Sequence, residues 1–337
     1  MPPVIDAHAH FLPEPIVAAL RARSEAPDIR AEPGGGESFG IYRTRMPYGR
    51  AYDDLDARLA RMEELGVDRQ VISLPGLFGV DSRPADQALP LVRAFNDGIA
   101  ELVRRHPDKF SGIAALPLAD PAAALEEYRR ARGLGLSGMI LPGDAFVSAA
   151  AAERVRPLFE LAAEIGGLAF VHPGPLPDTV AGPGAGPVDA PAPHTDSIVH
   201  RRVTVDIQNR MTEVMVTLAL TDFLDPYPSV PVQVANLGGT LPFVIERMDH
   251  VYALRHPDQP APSRSLRPLY VDAASLGPRA IALAAEVYGA DRVLFGSDSP
   301  IFDDARCLDA ARQARLTPAE RAQVAGGNAE RMLAEAG

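Results

Sequence analysis

The sequence holds one cysteine, Cys307, among 337 residues. A single thiol excludes an internal disulfide and a thiolate metal cluster. Lysine is as scarce: Lys109, in the stretch HPDK, is the only one, and arginine carries the rest of the positive charge. Any chemistry that needs a lysine deep inside the protein has no other candidate. An excess of positive charge is missing as well. The formal net charge is -11 with no basic cluster set against it, which argues against nucleic acid and anionic membrane as partners. No apolar run approaches the roughly 20 residues of a membrane span, and no charged-then-apolar leader precedes the first apolar run. A cytoplasmic location is expected.

What is present reads as a folded domain. Hydrophobic residues make up 47% and charged residues 23%, a balance that builds a core and not a disordered chain. Eight short apolar runs recur from end to end: VIDAH (4–8), QVISLP (70–75), SGIAALPL (111–118), SGMILP (137–142), LAFVHP (168–173), VPVQVAN (230–236), PLYVDA (268–273) and RVLFGSD (292–298). Between them, stretches such as DDLDARLARMEELG and RVRPLFELAAEIGG repeat apolar positions at intervals of three and four and stop at glycine or proline. This alternation predicts an α/β fold, a single (β/α)8 TIM barrel over residues 1–337. A doubly wound open sheet ranks second, because no Gly-x-Gly-x-x-Gly follows any strand. Residues 11–52 and 173–202 break the rhythm with Pro- and Gly-rich sequence. Both leave the carboxyl ends of predicted strands, the first and the fifth, and are expected to cover an active site.

The first strand ends in two histidines one residue apart. In a strand, Asp6, His8 and His10 share a face. Reacting groups in a barrel gather at the carboxyl ends of strands, and those ends also carry His172, Asn236 and Asp298. Taken singly, His172 in VHPG reads equally well as a satisfied buried histidine, and Asp298 in GSDSP as a turn cap. Together, three imidazoles and one carboxylate make a first coordination shell for one divalent metal ion, with zinc favoured by the nitrogen-rich set and manganese also accepted.

The motifs DAHAHF, RHPDKFSGIAALPLADP (105–121), VHPG (171–174), LGGTLPFVIERMDH (237–250), RVLFGSDSP (292–300) and GNAERML (327–333) resemble the amidohydrolase superfamily. Within it, the resemblance is to the group of aminocarboxymuconate-semialdehyde decarboxylase and the hydroxybenzoate decarboxylases. It implies a distorted barrel with long loops and one divalent metal, usually zinc, on His8, His10, His172 and Asp298. Superfamily members with two metals bridge them with a lysine at the end of the fourth strand; SGMILP has none, so a single-metal site follows. The resemblance also makes Arg247, in LGGTLPFVIER, the residue that reaches into a neighbouring subunit's site, which implies a homodimer.

One position departs from the relatives. Where they carry a histidine that handles a proton, this chain reads ANLGG with Asn236, and an amide cannot exchange a proton near neutral pH. Asn236 is therefore expected to orient water or substrate, leaving Asp298 to carry the proton. Arg45 and Arg50 are further candidates to clamp a substrate carboxylate, and Phe78 and Phe302 to wall an aromatic one. The expected activity is metal-dependent, non-oxidative decarboxylation of a small aromatic or unsaturated carboxylic acid. The alternatives are a hydrolase or hydratase of a ring-cleavage product or lactone on the same site, and a metal-containing barrel without turnover.

Overall fold

The computed structural model describes residues 2–41, 44–175 and 201–337. All eight apolar runs contain a parallel strand. A three-stranded sheet orders β1 (Ile5–His10), β5 (Arg69–Ser73) and β6 (Phe110–Gly112) as β1-β5-β6. A five-stranded sheet takes β7 (Gly138–Pro142), β8 (Leu168–His172), β9 (Val232–Val234), β10 (Tyr270–Asp272) and β11 (Val293–Leu294) in the order β11-β10-β9-β8-β7. Isolated parallel bridges join the two sheets at both seams, Ala114 to Met139 and Ala9 to Ser299. The result is an α/β fold whose parallel strands are buried on both faces, which is why they read as continuous apolar runs.

The helices between strands form where the sequence supplies both a stripe and a stop. Asp54 accepts from the Ala57 N–H and starts the helix Leu55–Leu65, and Gly66, at φ 70°, ends it in the left-handed region that favours glycine. Asp120 caps the helix Pro121–Gly133, with proline in the first turn. Apolar side chains of the long helix Ala85–Arg105, among them Val92, Phe95 and Ile99, are buried. Beside them Asn96 bonds both the N–H and C=O of Ala115 and the carboxylate of Glu127, which tethers this helix to the chain past β6.

The described residues of the first excursion form regular structure. After the helix Glu14–Arg21, three short antiparallel strands β2 (Asp28–Ala31), β3 (Glu37–Ile41) and β4 (Thr44–Tyr48) form a separate sheet. Phe39 of this sheet packs on Phe78 with ring centroids 4.1 Å apart. The buried Arg58 ties the end of the excursion to β1, donating to the carbonyls of His10 at 2.7 Å and Ala51 at 2.9 Å. Of the second excursion, 173–202, residues 176–200 lie outside the described residues. Among the described residues, no helix is long and apolar enough to cross a membrane.

Candidate metal centre

His8, His10, His172 and Asp298 converge. One potential ligand atom from each lies within 4.8 Å of the others, and all four residues are buried. The three imidazole rings sit at the corners of a nearly equilateral triangle, with centroids 4.9 to 5.1 Å apart and planes turned edge to face. Each ring commits its Nδ1 to a partner behind it: His8 to the Asp272 carboxylate at 3.0 Å, His10 to the Ser73 carbonyl at 3.0 Å, and His172 to the Pro173 carbonyl at 2.8 Å. That arrangement fixes each ring's tautomer and aims its Nε2 at the common centre.

The atoms at the centre are what test the fit. Among the described residues, His8 Nε2, His10 Nε2, His172 Nε2 and Asp298 Oδ1 are buried and have no hydrogen-bond partner. Asp298 Oδ1 stands 2.9 Å from His10 Nε2 and 3.5 Å from His8 Nε2. Four buried, unpartnered lone-pair atoms in one place carry a desolvation cost of about 1–3 kcal/mol each, which a cation relieves. Bonds of about 2.0–2.2 Å from one divalent ion reach across such a set, and three nitrogens with one carboxylate oxygen suit zinc or manganese. The residues fit one divalent metal.

The electrostatics agree. Burial alone would raise the Asp298 carboxyl, but the charge on His8 and the contacts with His10 and His8 hold it well below the usual carboxylate range. Burial opposes charge on His8 too, and the Asp272 and Asp298 carboxylates overcome it, pushing the imidazole up to about 10. Burial lowers His172, and the neighbouring His8 and His10 lower it further. The two carboxylates thus draw one positive charge toward His8, a place for which a proton and a metal ion compete, whereas His172 stays neutral.

Local sequence explains the close approach. Asp298 adopts φ 57°, a left-handed conformation that aspartate tolerates better than most residues, and its N–H donates to the His8 carbonyl at 2.7 Å. A Cβ on Gly296 would fall 2.9 Å from His8 Cβ and 3.1 Å from Asp272 Cβ, so only glycine lets the chain after β11 press against both. A Cβ on Gly76 would likewise lie 2.9 Å from His172 Nδ1. Asn236 stands two residues past the end of β9, also at positive φ (56°), with its Oδ1 buried and unpartnered.

The other predicted site residues fall elsewhere. Arg45 donates to both carboxylate oxygens of Asp28 and to Ser38 within the small antiparallel sheet. Arg50 is exposed and paired with Asp54. Phe78 is buried against Phe39, whereas Phe302 is 44% exposed and lines a groove with Ser275 and Cys307. Arg247 lies on the helix Leu241–Ala253, in a surface groove lined by Phe243, His250 and Leu254. The solitary Lys109 precedes β6 at its amino end, and β7 ends in Pro142, so no lysine stands where a second metal would need a bridge.

Several residues of the site escape a reading of the sequence. Asp272 ends β10, so inspecting that strand's carboxyl end in the same way as the others would find it. Ser73 ends β5 in the same way, and its carbonyl at 3.0 Å and its Oγ at 3.3 Å both meet His10 Nδ1. Away from the centre, Asp81, in the loop after β5, is also buried, and burial pushes its carboxyl from the ordinary 3.8 to about 7. Because the folded state holds that proton more tightly than the unfolded chain, Asp81 costs stability progressively as pH rises from about 3.8 to about 7, and the loss then levels off. Asp81→Asn should therefore raise the melting temperature more at pH 8 than at pH 5. Equal gains at the two pH values would contradict this.

A mononuclear centre of three histidines and one aspartate, set at or past the carboxyl ends of β1, β8 and β11, defines a class of metal-dependent α/β enzymes. The chain belongs to the amidohydrolase family, whose model matches residues 5–334. It is 26% identical to the 2-amino-3-carboxymuconate-6-semialdehyde decarboxylase of Dictyostelium discoideum over 255 residues, covering 73% of this chain and 67% of that protein. It is also 26% identical to the gamma-resorcylate decarboxylase of Rhizobium radiobacter over 311 residues, covering 84% of this chain and 88% of that one. Among solved structures, the dihydroxybenzoic acid decarboxylase of Polaromonas sp. JS666, with bound manganese and the inhibitor 2-nitroresorcinol, shares the fold. Its TM-score is 0.68 at 20% identity, with 99% of this chain and 97% of that chain covered.

Proposed function

We propose that the protein is a metal-dependent carboxy-lyase that removes carbon dioxide from a small hydroxyaromatic carboxylic acid. One observation carries this reading: His8, His10, His172 and Asp298 converge in a chain whose relatives over most of its length are decarboxylases of such acids. A divalent ion held by these residues would supply Lewis acidity toward the carboxylate and neighbouring hydroxyl of the substrate. In the reaction the bond between ring carbon and carboxyl carbon breaks, its electron pair stays on the ring carbon, and a proton must reach that carbon. The imidazoles cannot bring it, because their Nδ1 atoms are anchored and their Nε2 atoms face the ion. The Asp298 side chain keeps 11% of its surface accessible while those of His8 and His10 keep none, so it is the member of the centre that can meet substrate and carry the proton. Asn236, with an unpartnered amide oxygen, accepts a hydrogen bond from substrate hydroxyl or water.

The two bridged sheets support closure into a single (β/α)8 barrel, with the described part of the first excursion tied to the end of β1 through Arg58. Carbon dioxide release from a panel of hydroxybenzoates, 2,6-dihydroxybenzoate included, by zinc- or manganese-loaded protein tests the activity. Product formation without carbon dioxide would favour the hydrolase or hydratase alternative, and no turnover of any panel member would sink the decarboxylase reading. The one free, buried thiol, Cys307, is in keeping with a cytoplasmic setting.

A homodimer is part of the same reading. Phe243 and Leu254 are 81% and 84% exposed beside Arg247, an apolar face of the kind a second copy covers. With Arg247 reaching a neighbour's site, Arg247→Ala should impair turnover about tenfold or more and leave metal content unchanged. A fully active monomer at assay concentration would overturn it.

A further inference from the structure

We propose that Asp272 is the positioning residue of the metal centre: one buried carboxylate that sets the tautomer of His8 and at the same time holds the turn that carries Asn236. The proposal rests on the metal reading of the four converging residues and not on decarboxylation.

Asp272 ends β10, is fully buried, and meets only donors. Its Oδ1 takes His8 Nδ1 at 3.0 Å, the Ala274 N–H at 3.2 Å and the Asn236 N–H at 3.4 Å. Its Oδ2 takes Gln233 Nε2 at 2.8 Å, and the same Gln233 amide donates to the Ala7 carbonyl at 3.1 Å. No acceptor faces either oxygen among these partners, so a group that only accepts is what the site requires, and an ionised carboxylate is that group. With Nδ1–H given to Asp272, His8 presents Nε2 as a lone pair to the centre. Gln233 locks the second oxygen, so the carboxylate cannot swing away from His8.

The Asn236 contact adds a second task. Asn236 and Leu237 run at φ 56° and 53°, a left-handed stretch that costs backbone energy at non-glycine residues. The Asp272 oxygen receives the N–H at the start of that stretch, as well as the N–H of Ala274 beyond its own strand. The carboxylate therefore joins β1, β9 and β10 at one point behind the metal, and ligand geometry and the Asn236 turn depend on the same atom.

An amide cannot reproduce this. In Asp272→Asn, one of the two positions must present an NH2 group to a donor, so either His8 or Gln233 loses its partner. The test strips wild type and D272N with a chelator and titrates each with Zn2+ against a chromophoric competitor, without substrate. The proposal expects the dissociation constant of D272N to rise about 10–100-fold. The visible spectrum of the Co2+-loaded variant should shift as well. A residue that merely braced the fold would lower the melting temperature of the metal-free protein and leave both readouts unchanged. Gln233→Ala keeps the carboxylate and frees only its second oxygen; it should weaken Zn2+ binding less than D272N but measurably, about threefold to tenfold, and it decides the matter if D272N does not fold. Zn2+ binding and a Co2+ spectrum at wild-type values in the folded variants would overturn the proposal. Wild type that binds one ion but releases no carbon dioxide would retire the decarboxylase reading and leave this one standing.

Discussion

Purified protein should carry about one equivalent of divalent metal, and His172→Ala should lose nearly all of it. Elemental analysis of the two preparations is the measurement. The expectation is strong because His172 Nε2 is one of the four converging ligand atoms, and its ring is held through Nδ1 by the Pro173 carbonyl. Removing the ring takes away a ligand and opens space between His8, His10 and Phe170, whose rings it touches at 4.9 to 5.6 Å. The fold should survive, since the β8 residues Phe170 and Val171 remain in the core. Two metal ions per chain in native protein, or full retention by the variant, would count against the centre as described.

Asp298→Asn should be the most damaging single change to turnover. It removes the only anionic ligand and, on the proposed reading, the proton carrier together, so activity should fall by about 10^3-fold or more. Asn236→Ala should cost far less, about tenfold to a hundredfold, because one hydrogen bond is lost and no charge or ligand. The order of these two effects matters more than either value, and steady-state kinetics on a hydroxybenzoate substrate measures it. An Asn236→Ala loss as deep as that of Asp298→Asn would mean that the amide does more than orient. Asn236→His is the informative companion. If it gains large activity on a substrate that wild type ignores, Asn236 marks a switched reaction and the decarboxylase assignment falls.

Much of this centre is legible in the sequence because parallel strands buried on both faces read as apolar runs, and three of those runs, the first, fifth and eighth, lead to the four ligands. His8, His10 and His172 stand within strands, where counting along the apolar runs places them. Boundaries are less legible: β11 covers only Val293–Leu294, and Asp298 arrives through a left-handed bend past Gly296 that apolar patterning does not encode. The small sheet of the first excursion stays hidden because its strands are short and half polar, and their pairing is set by partners in the same excursion. Arg45 illustrates the limit for charged residues. Its type suggests a carboxylate clamp, but only coordinates reveal that the carboxylate it meets is Asp28 of its own chain. The role of Asp272 depends on His8, 264 positions away, a pairing no local pattern contains.

The seam between β1 and the chain after β11 has a consequence for the order in which the molecule is assembled. Asp6 holds the backbone and hydroxyl of Ser297, 291 positions later, and Asp298 donates its N–H to the His8 carbonyl beside it. His8 and His10 lie together on β1, but their carboxylate partner Asp298 joins them only once the chain past β11 has packed against that strand. Metal capture therefore waits for this seam: a chain truncated before Val293 should bind Zn2+ far more weakly than residues 1–337. An ion that does bind straps the first strand to the last, so spontaneous opening at that junction should slow, which hydrogen exchange of the Ala7 and His10 amides in loaded and stripped protein would register.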